Sequence, residues 1–140
     1  MSDLEIGYRS IPRPREADSA TDLLRMRTYW PSNGVVVLET GGVLDMNTAT
    51  RFAEAVRAAF ASTARTVVLD LSRLSFVATD GVVVLLEAGH RALMRRVSLV
   101  LVSGNRAVDR LLHLLDVADR FTYAATAEAA AQAGLPARSP

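Results

Sequence analysis

The feature that most constrains the fold is the stretch 69–94, LDLSRLSFVATDGVVVLLEAGHRALM. It opens as an apolar strand, passes through a short polar turn and restarts at Asp80-Gly81 as a helix. The β-branched run 82–84 alone would favour a strand. A helix is favoured instead because apolar residues recur at helical spacing: Val82, Leu85, Leu86, Gly89 and Leu93. The stretch therefore predicts a strand–turn–helix unit.

The start of this helix is a candidate site because helix starts carry unpaired N–H groups and a partial positive charge. Asp80 places a carboxylate there, and the hydroxyl of Thr79 comes one residue earlier. Asp is also a favoured N-cap residue, worth about 0.5–2 kcal/mol over Ala. The residues alone therefore leave two interpretations open for Asp80, a plain cap and a docking residue.

Strands and helices alternate along the rest of the chain. The predicted strands are Leu23–Tyr29, Val35–Leu38, Thr66–Leu71, Ser98–Val102 and a short edge strand at 121–123. The other predicted helices follow a cap at Asn47 or Thr48, span Arg106–Leu115 and span Thr126–Ala133, the last stopped by Gly134 and Pro136. Gly41-Gly42 is predicted to break the chain. This order predicts a single α/β domain with parallel strand pairs and right-handed crossovers.

Loops at the carboxyl ends of such strands usually carry function. Here they are 41–48, 75–81 and 103–106, and we expect all three to converge on one rim. Glu87 shares a helix face with Asp80, and Val83 and Val84 lie close to it. The two valines are either core residues or an exposed apolar patch suited to a protein partner. Asp45 and Asn47 have turn formation as their simpler interpretation.

Both ends of the chain are predicted to lie outside the domain. Residues 1–22 are rich in Pro, Ser, Arg and acidic residues, so we interpret them as a flexible N-terminal tail. The domain then spans 23–134, and 135–140 forms a C-terminal tail.

Composition excludes several classes of function. The net charge is +1, so no overall field recruits nucleic acid directly. There are no cysteines, and the two histidines are far apart in sequence, so we expect no metal site. No nucleophile elbow, dinucleotide fingerprint or P-loop occurs, so we predict neither an enzyme nor a cofactor. No apolar run approaches the roughly 18 residues that span a bilayer. These points predict a cytoplasmic protein with no membrane insertion.

With these residues assembled, the chain resembles the STAS domain, and within it the anti-sigma factor antagonists. The resemblance covers about residues 23–134 and rests on three segments: GGVLDMNTA, VVLDLSRLSFVATDGVVVLL and SGNRAVDRLLHLLDV. It implies a single-domain α/β fold, a mixed sheet of four to five strands with helices packed mainly on one face. It also implies a non-enzymatic protein that binds an anti-sigma factor, usually a serine kinase as well, and so controls release of a sigma factor.

In that family the partner phosphorylates a Ser or Thr immediately before the glycine at the helix start. That position here is Asp80, and the usual acidic position is Ala78. Thr79 is a candidate phosphorylation site one position away. Asp80 either imitates the phosphorylated state with less charge or meets a partner surface adapted to a carboxylate. The partner-binding residues implied are Asp45, Asn47, Thr48, Asp80, Gly81, Val83, Val84 and Glu87.

A second role is also compatible with the resemblance. STAS domains serve as subunits of larger signalling assemblies and of membrane-transporter complexes. The sequence leaves open which of these applies, which partner is bound and whether the domain forms a homodimer.

Overall fold

A computed structural model describes residues 23–133. The two predicted tails and the helix-stop residues Gly134 and Pro136 lie outside the described residues. The strands are β1 Leu24–Ser32, β2 Val35–Leu44, β3 Thr66–Val77, β4 Ser98–Val102 and β5 Thr122–Tyr123. The helices are α1 Ala49–Ala61, α2 Thr79–Arg95, α3 Arg106–Leu114, a 3₁₀ turn Ala118–Arg120 and α4 Ala127–Ala133.

The described strands form one sheet in the order β1-β2-β3-β4-β5. β1 pairs antiparallel with β2 through the turn at Asn33-Gly34, and the remaining neighbours are parallel. The prediction of a mixed α/β sheet is confirmed. The apolar runs of β2 and β3 make them central strands, since strands covered on both faces are apolar at almost every position.

The core lies mainly on one face of the sheet, as predicted. Helices α1, α2 and α3 bury Phe52, Leu85 and Leu112 against Leu38, Leu69 and Leu101 of the sheet, with further apolar side chains around them. Burying one such side chain stabilises the fold by roughly 1.5–3 kcal/mol. Helix α4 covers a smaller apolar cluster on the opposite face, where Ala130 and Ala131 pack against Val35, Val37 and Val68.

The prediction that Gly41-Gly42 breaks the chain is wrong, because β2 runs through both glycines to Leu44. The register with β3 shifts on either side of this pair. Gly42 has φ +94°, and a Cβ there would collide with the carbonyl oxygen of Leu23. Glycine is therefore needed to keep the strand continuous at this irregularity.

The prediction that three loops converge on one rim is wrong for the third loop. β4 ends at Val102, which pairs with Asp70, whereas β3 continues to Val77. The third loop therefore lies beside residues 71–74 of β3, where the Asn105 side-chain amide donates to the carbonyl oxygens of Leu71 at 2.9 Å and of Leu74 at 3.3 Å. Only the first two loops meet at the end of the sheet.

One residue of the apolar helical repeat is exposed. Leu93 shares the spacing of Val82 and Leu85, yet 79% of it is exposed. It lies in the last turns of the helix, beyond the residues that pack against the sheet. No helix among the described residues is both long enough and apolar enough to cross a bilayer.

Candidate docking face at the start of α2

The junction between β3 and α2 is tied to the end of β2. The backbone N–H of Ala78 donates to the carbonyl oxygen of Leu44 at 2.8 Å, so the chain leaves β3 beside the last residue of β2. Ala78 is extended, with φ −102° and ψ 170°, and α2 begins at Thr79. The strand–turn–helix unit therefore exists as predicted, with the helix starting one residue earlier.

Asp80 is not the N-cap residue, so the capping interpretation is wrong. The cap position is Ala78, which supplies no side-chain hydrogen bond, and Asp80 lies in the first turn of the helix. Its side chain is exposed, and among residues 23–133 it has no hydrogen-bond or ion-pair partner. A carboxylate in a first turn stabilises a helix by about 0.3–1 kcal/mol while remaining available to other molecules.

Gly81 brings the helix start against the end of β2. A Cβ at this position would lie 2.7 Å from both Cγ and Cδ2 of Leu44, which is closer than real side chains approach. Leu44 is fully buried, so it has little freedom to move away. Gly81 is itself buried, and its role is to allow the close approach that positions Thr79 and Asp80.

The loop between β2 and α1 is held by internal hydrogen bonds. The carboxylate of Asp45 accepts from the backbone N–H of Asn47 at 2.9 Å and of Thr48 at 3.2 Å. The Thr48 hydroxyl donates to the carbonyl oxygen of Val43 at 3.0 Å and accepts from the N–H of Asp45 at 2.9 Å. Thr48 is only 1% exposed, so its polar atoms serve the loop itself.

Thr48, rather than Asn47, occupies the N-cap position of α1, although its hydroxyl makes no capping bond to that helix. Asn47 is exposed on the same loop. Of the loop residues expected at the site, Asn47 therefore faces solvent, Asp45 is partly buried and Thr48 is buried.

The structure separates the two valines that follow Asp80. Val83 is 51% exposed, whereas Val84 is 8% exposed and belongs to the core. Val83 and Val84 point about 100° apart, on either side of the direction of Asp80, and the core covers the side on which Val84 lies. Glu87, one turn after Val83, is also exposed. Asp80, Val83 and Glu87 thus form an exposed stripe along α2.

Two exposed apolar residues in the segments that lead to α1 and α2 were not among the predicted site residues. Met46, in the loop after β2, is 71% exposed, and Phe76, near the end of β3, is 51% exposed. Large apolar side chains inside otherwise polar loop segments are the sequence signal that could have indicated them. Phe76 points to the sheet face opposite α2, because the next residue, Val77, lies in the core on the side of α2. We call Met46, Asn47, Asp80, Val83 and Glu87 the docking face.

The docking face combines exposed apolar side chains with two carboxylates, Asp80 and Glu87, that have no ion-pair partner among residues 23–133. Such a mixture is suited to binding a protein surface. Within residues 23–133, no three His, Cys, Asp or Glu side chains come together in a way that could hold a metal ion.

Comparison with known protein families agrees with this architecture. A family model described as the STAS domain matches residues 31–130. The chain belongs to the STAS domain family. The resemblance predicted from the three sequence segments is therefore confirmed at the level of the family.

Solved structures share the fold of this STAS domain. An anti-sigma factor antagonist from Mycobacterium paratuberculosis is 24% identical, with a TM-score of 0.69 over 81% of this chain and 95% of that one. The unphosphorylated anti-sigma factor antagonist SpoIIAA is 18% identical, with a TM-score of 0.65 over 78% and 96% of the two chains. Phosphorylated SpoIIAA of Bacillus is 16% identical, with a TM-score of 0.62 over 78% and 99%. No significant match was found among curated proteins.

Proposed function

We propose that this STAS domain is a non-enzymatic regulator that binds an anti-sigma factor with serine-kinase activity and so controls release of a sigma factor. The docking face at the start of α2 is the binding surface. Asp80 stands there in place of the Ser or Thr that such a kinase would phosphorylate.

The observation that carries the proposal is the exposed, unpaired carboxylate of Asp80 at a helix start, with Val83 and Glu87 along the same face. A carboxylate in a first turn is ordinarily exposed, and at this position its exposure leaves it accessible to a partner. The exposed side chain of Met46 adds apolar area, which supplies most of the free energy of protein association. The fold shared with proteins described as anti-sigma factor antagonists supports the same class of partner.

The negative charge also argues against a nucleotide or another anion as the ligand of this face. Asp80 offsets the positive end of the helix dipole, and Glu87 adds a second negative charge. A protein surface with positive charge opposite these carboxylates is the better match.

The test is capture of partners from native extract with immobilised protein. The variant Val83→Asp places a charge on the docking face at an exposed position. Its matched control is Leu114→Asp, which makes the same kind of change at a side chain on α3 that is 75% exposed. We expect wild type and Leu114→Asp to capture an anti-sigma factor and Val83→Asp to lose it.

Two results would count against the proposal. One is capture of a transporter ATPase or of a large signalling assembly in place of an anti-sigma factor, which would favour the role of a structural subunit. The other is equal capture of an anti-sigma factor by both variants, which would place the binding surface elsewhere on the domain.

A further inference from the structure

A cavity lies beside the second half of α2, at the other end of that helix from Asp80. It is bounded by α2, the first residues of β4 and the segment from the 3₁₀ turn to β5, and its volume is about 770 Å³. Binding sites for small molecules typically measure roughly 300–1,000 Å³. The cavity is therefore of a size to hold a small organic ligand.

The floor of this cavity is apolar. Leu86, Leu99 and Phe121 line it, and all three are partly buried against the main core. Leu93 also lines the cavity and is 79% exposed. An apolar surface of this kind gains free energy when a hydrocarbon or aromatic group displaces water from it.

The polar groups around the cavity give it a positive character. Arg96, Arg120 and His90 line it, and none of its lining residues is Asp or Glu. Among residues 23–133, neither arginine has an ion-pair partner. Arg96 also ends α2 with φ 59°, a left-handed position that glycine or asparagine usually occupies. Two arginines that have no ion-pair partner among the described residues thus line a cavity with an apolar floor.

Gly89 keeps the cavity wall open in the middle of α2. A Cβ there would meet only Cε1 of Phe121, at the ordinary contact distance of 3.8 Å. Packing therefore does not require glycine at this position, in contrast to Gly81, and glycine weakens a helix interior. A larger side chain at position 89 would extend into the cavity, which gives a direct way to block it.

We propose that this cavity binds a small apolar anion, a carboxylate carried on an aromatic or aliphatic body. The guanidinium groups of Arg96 and Arg120 bind the carboxylate, because paired charge-assisted hydrogen bonds suit that group. The apolar body lies on Leu86, Leu99 and Phe121. This site is separate from the docking face and does not depend on the function proposed for it.

The experiment is a titration of ¹⁵N-labelled protein with 1-naphthoate, followed by backbone amide shifts. We expect saturable shifts at residues that line the cavity, including Gly89, Ser98 and Thr122, with little change at Asp80 or Asn47. The neutral analogue 1-naphthylmethanol should bind at least about tenfold more weakly, because it loses the charged hydrogen bonds.

Three variants identify the site. Arg120→Gln should weaken 1-naphthoate binding about tenfold or more. Arg25→Gln is its matched control, since Arg25 is an exposed arginine on β1, at the opposite edge of the sheet, and this variant should bind as wild type does. Gly89→Leu should abolish binding by filling the cavity. If Gly89→Leu does not fold, the comparison of Arg120→Gln with Arg25→Gln decides alone.

The proposal is overturned if 1-naphthoate gives no saturable shifts, or if Arg120→Gln and Arg25→Gln bind it equally. It is also overturned if the neutral analogue binds as tightly as the anion. Dilution-dependent shifts of the same residues without ligand would show instead that a second copy of the chain covers this surface.

Discussion

Two buried threonines differ in whether their hydroxyl groups are paired. Thr40 on β2 is completely buried, and its hydroxyl has no hydrogen-bond partner among the described residues. The Thr48 hydroxyl, also buried, bonds to Val43 and Asp45. An unpaired buried hydroxyl costs free energy, whereas a paired one contributes to stability.

The substitution Thr40→Val should therefore raise the free energy of unfolding by about 1 kcal/mol, because it removes a polar group without a partner. The same substitution at the paired residue, Thr48→Val, should lower it by about 1–3 kcal/mol. Urea denaturation of both variants measures the two changes. A loss of stability in Thr40→Val as large as that in Thr48→Val would show that the Thr40 hydroxyl is paired.

At single residues, the predicted site can be compared with the observed one. The sequence located the helix start to within one residue, and it placed Asp80 close to it. It could not decide between Val83 and Val84, because that depends on how α2 is rotated against the sheet. The sequence also could not show that Thr48 is buried, because the hydrogen bonds of a hydroxyl inside a loop cannot be inferred from residue types. Whether the predicted site residues, Thr48 included, contact a partner stays a prediction.

At the scale of elements, α2 contains two glycines with different roles. Gly81 packs where a Cβ would lie 2.7 Å from Leu44, whereas Gly89 has room for one. We expect Gly81→Ala to lower the free energy of unfolding by about 1–3 kcal/mol through overpacking. Gly89→Ala should raise it by about 0.5–1 kcal/mol because alanine favours a helix interior.

Thermal or urea unfolding of these two alanine variants, measured side by side, checks the packing of the helix start. Equal effects in the two variants would mean that α2 does not approach Leu44 as closely as described. A stabilised Gly81→Ala variant would contradict the account of how Asp80 is positioned.

The apolar periodicity of the sequence predicted the types and order of the helices and strands, but it did not predict their lengths. Two consecutive glycines usually indicate that a strand ends. Strand β2 nevertheless continues through Gly41 and Gly42, because β3 pairs with it both before and after them. β3 likewise continues past Leu71, where its apolar run becomes interrupted by Ser72, Arg73 and Ser75. Tertiary pairing overrides local propensity in such segments.

At the scale of the whole molecule, the two proposed binding regions lie at different ends of the domain. The ends of β2 and β3 extend beyond β4, so the docking face lies at one end of the domain. The proposed anion cavity lies by the start of β4, near the opposite end of α2. The alternation of strands and helices predicted functional loops at the ends of the strands. Because β4 is short, the third of these loops lies away from the docking face.

The charge distribution along α2 agrees with this separation. Asp80 lies in its first turn and Glu87 at its middle, whereas Arg91, Arg95 and Arg96 lie towards its end. This arrangement favours the helix dipole, since negative charge is stabilising near the first turn and positive charge near the last. It also gives the two ends of the helix opposite preferences for charged ligands.

The most direct test of the central claim concerns the side chain at position 80. Purified kinase partner, captured with wild-type protein, is incubated with ATP and either wild type or Asp80→Ser, and phosphorylated residues are mapped by mass spectrometry. If α2 presents position 80 to the partner, Asp80→Ser will be phosphorylated at that position and wild type will not. Equal phosphorylation of both proteins at Thr79 would contradict the assignment of Asp80 to the phosphoacceptor position.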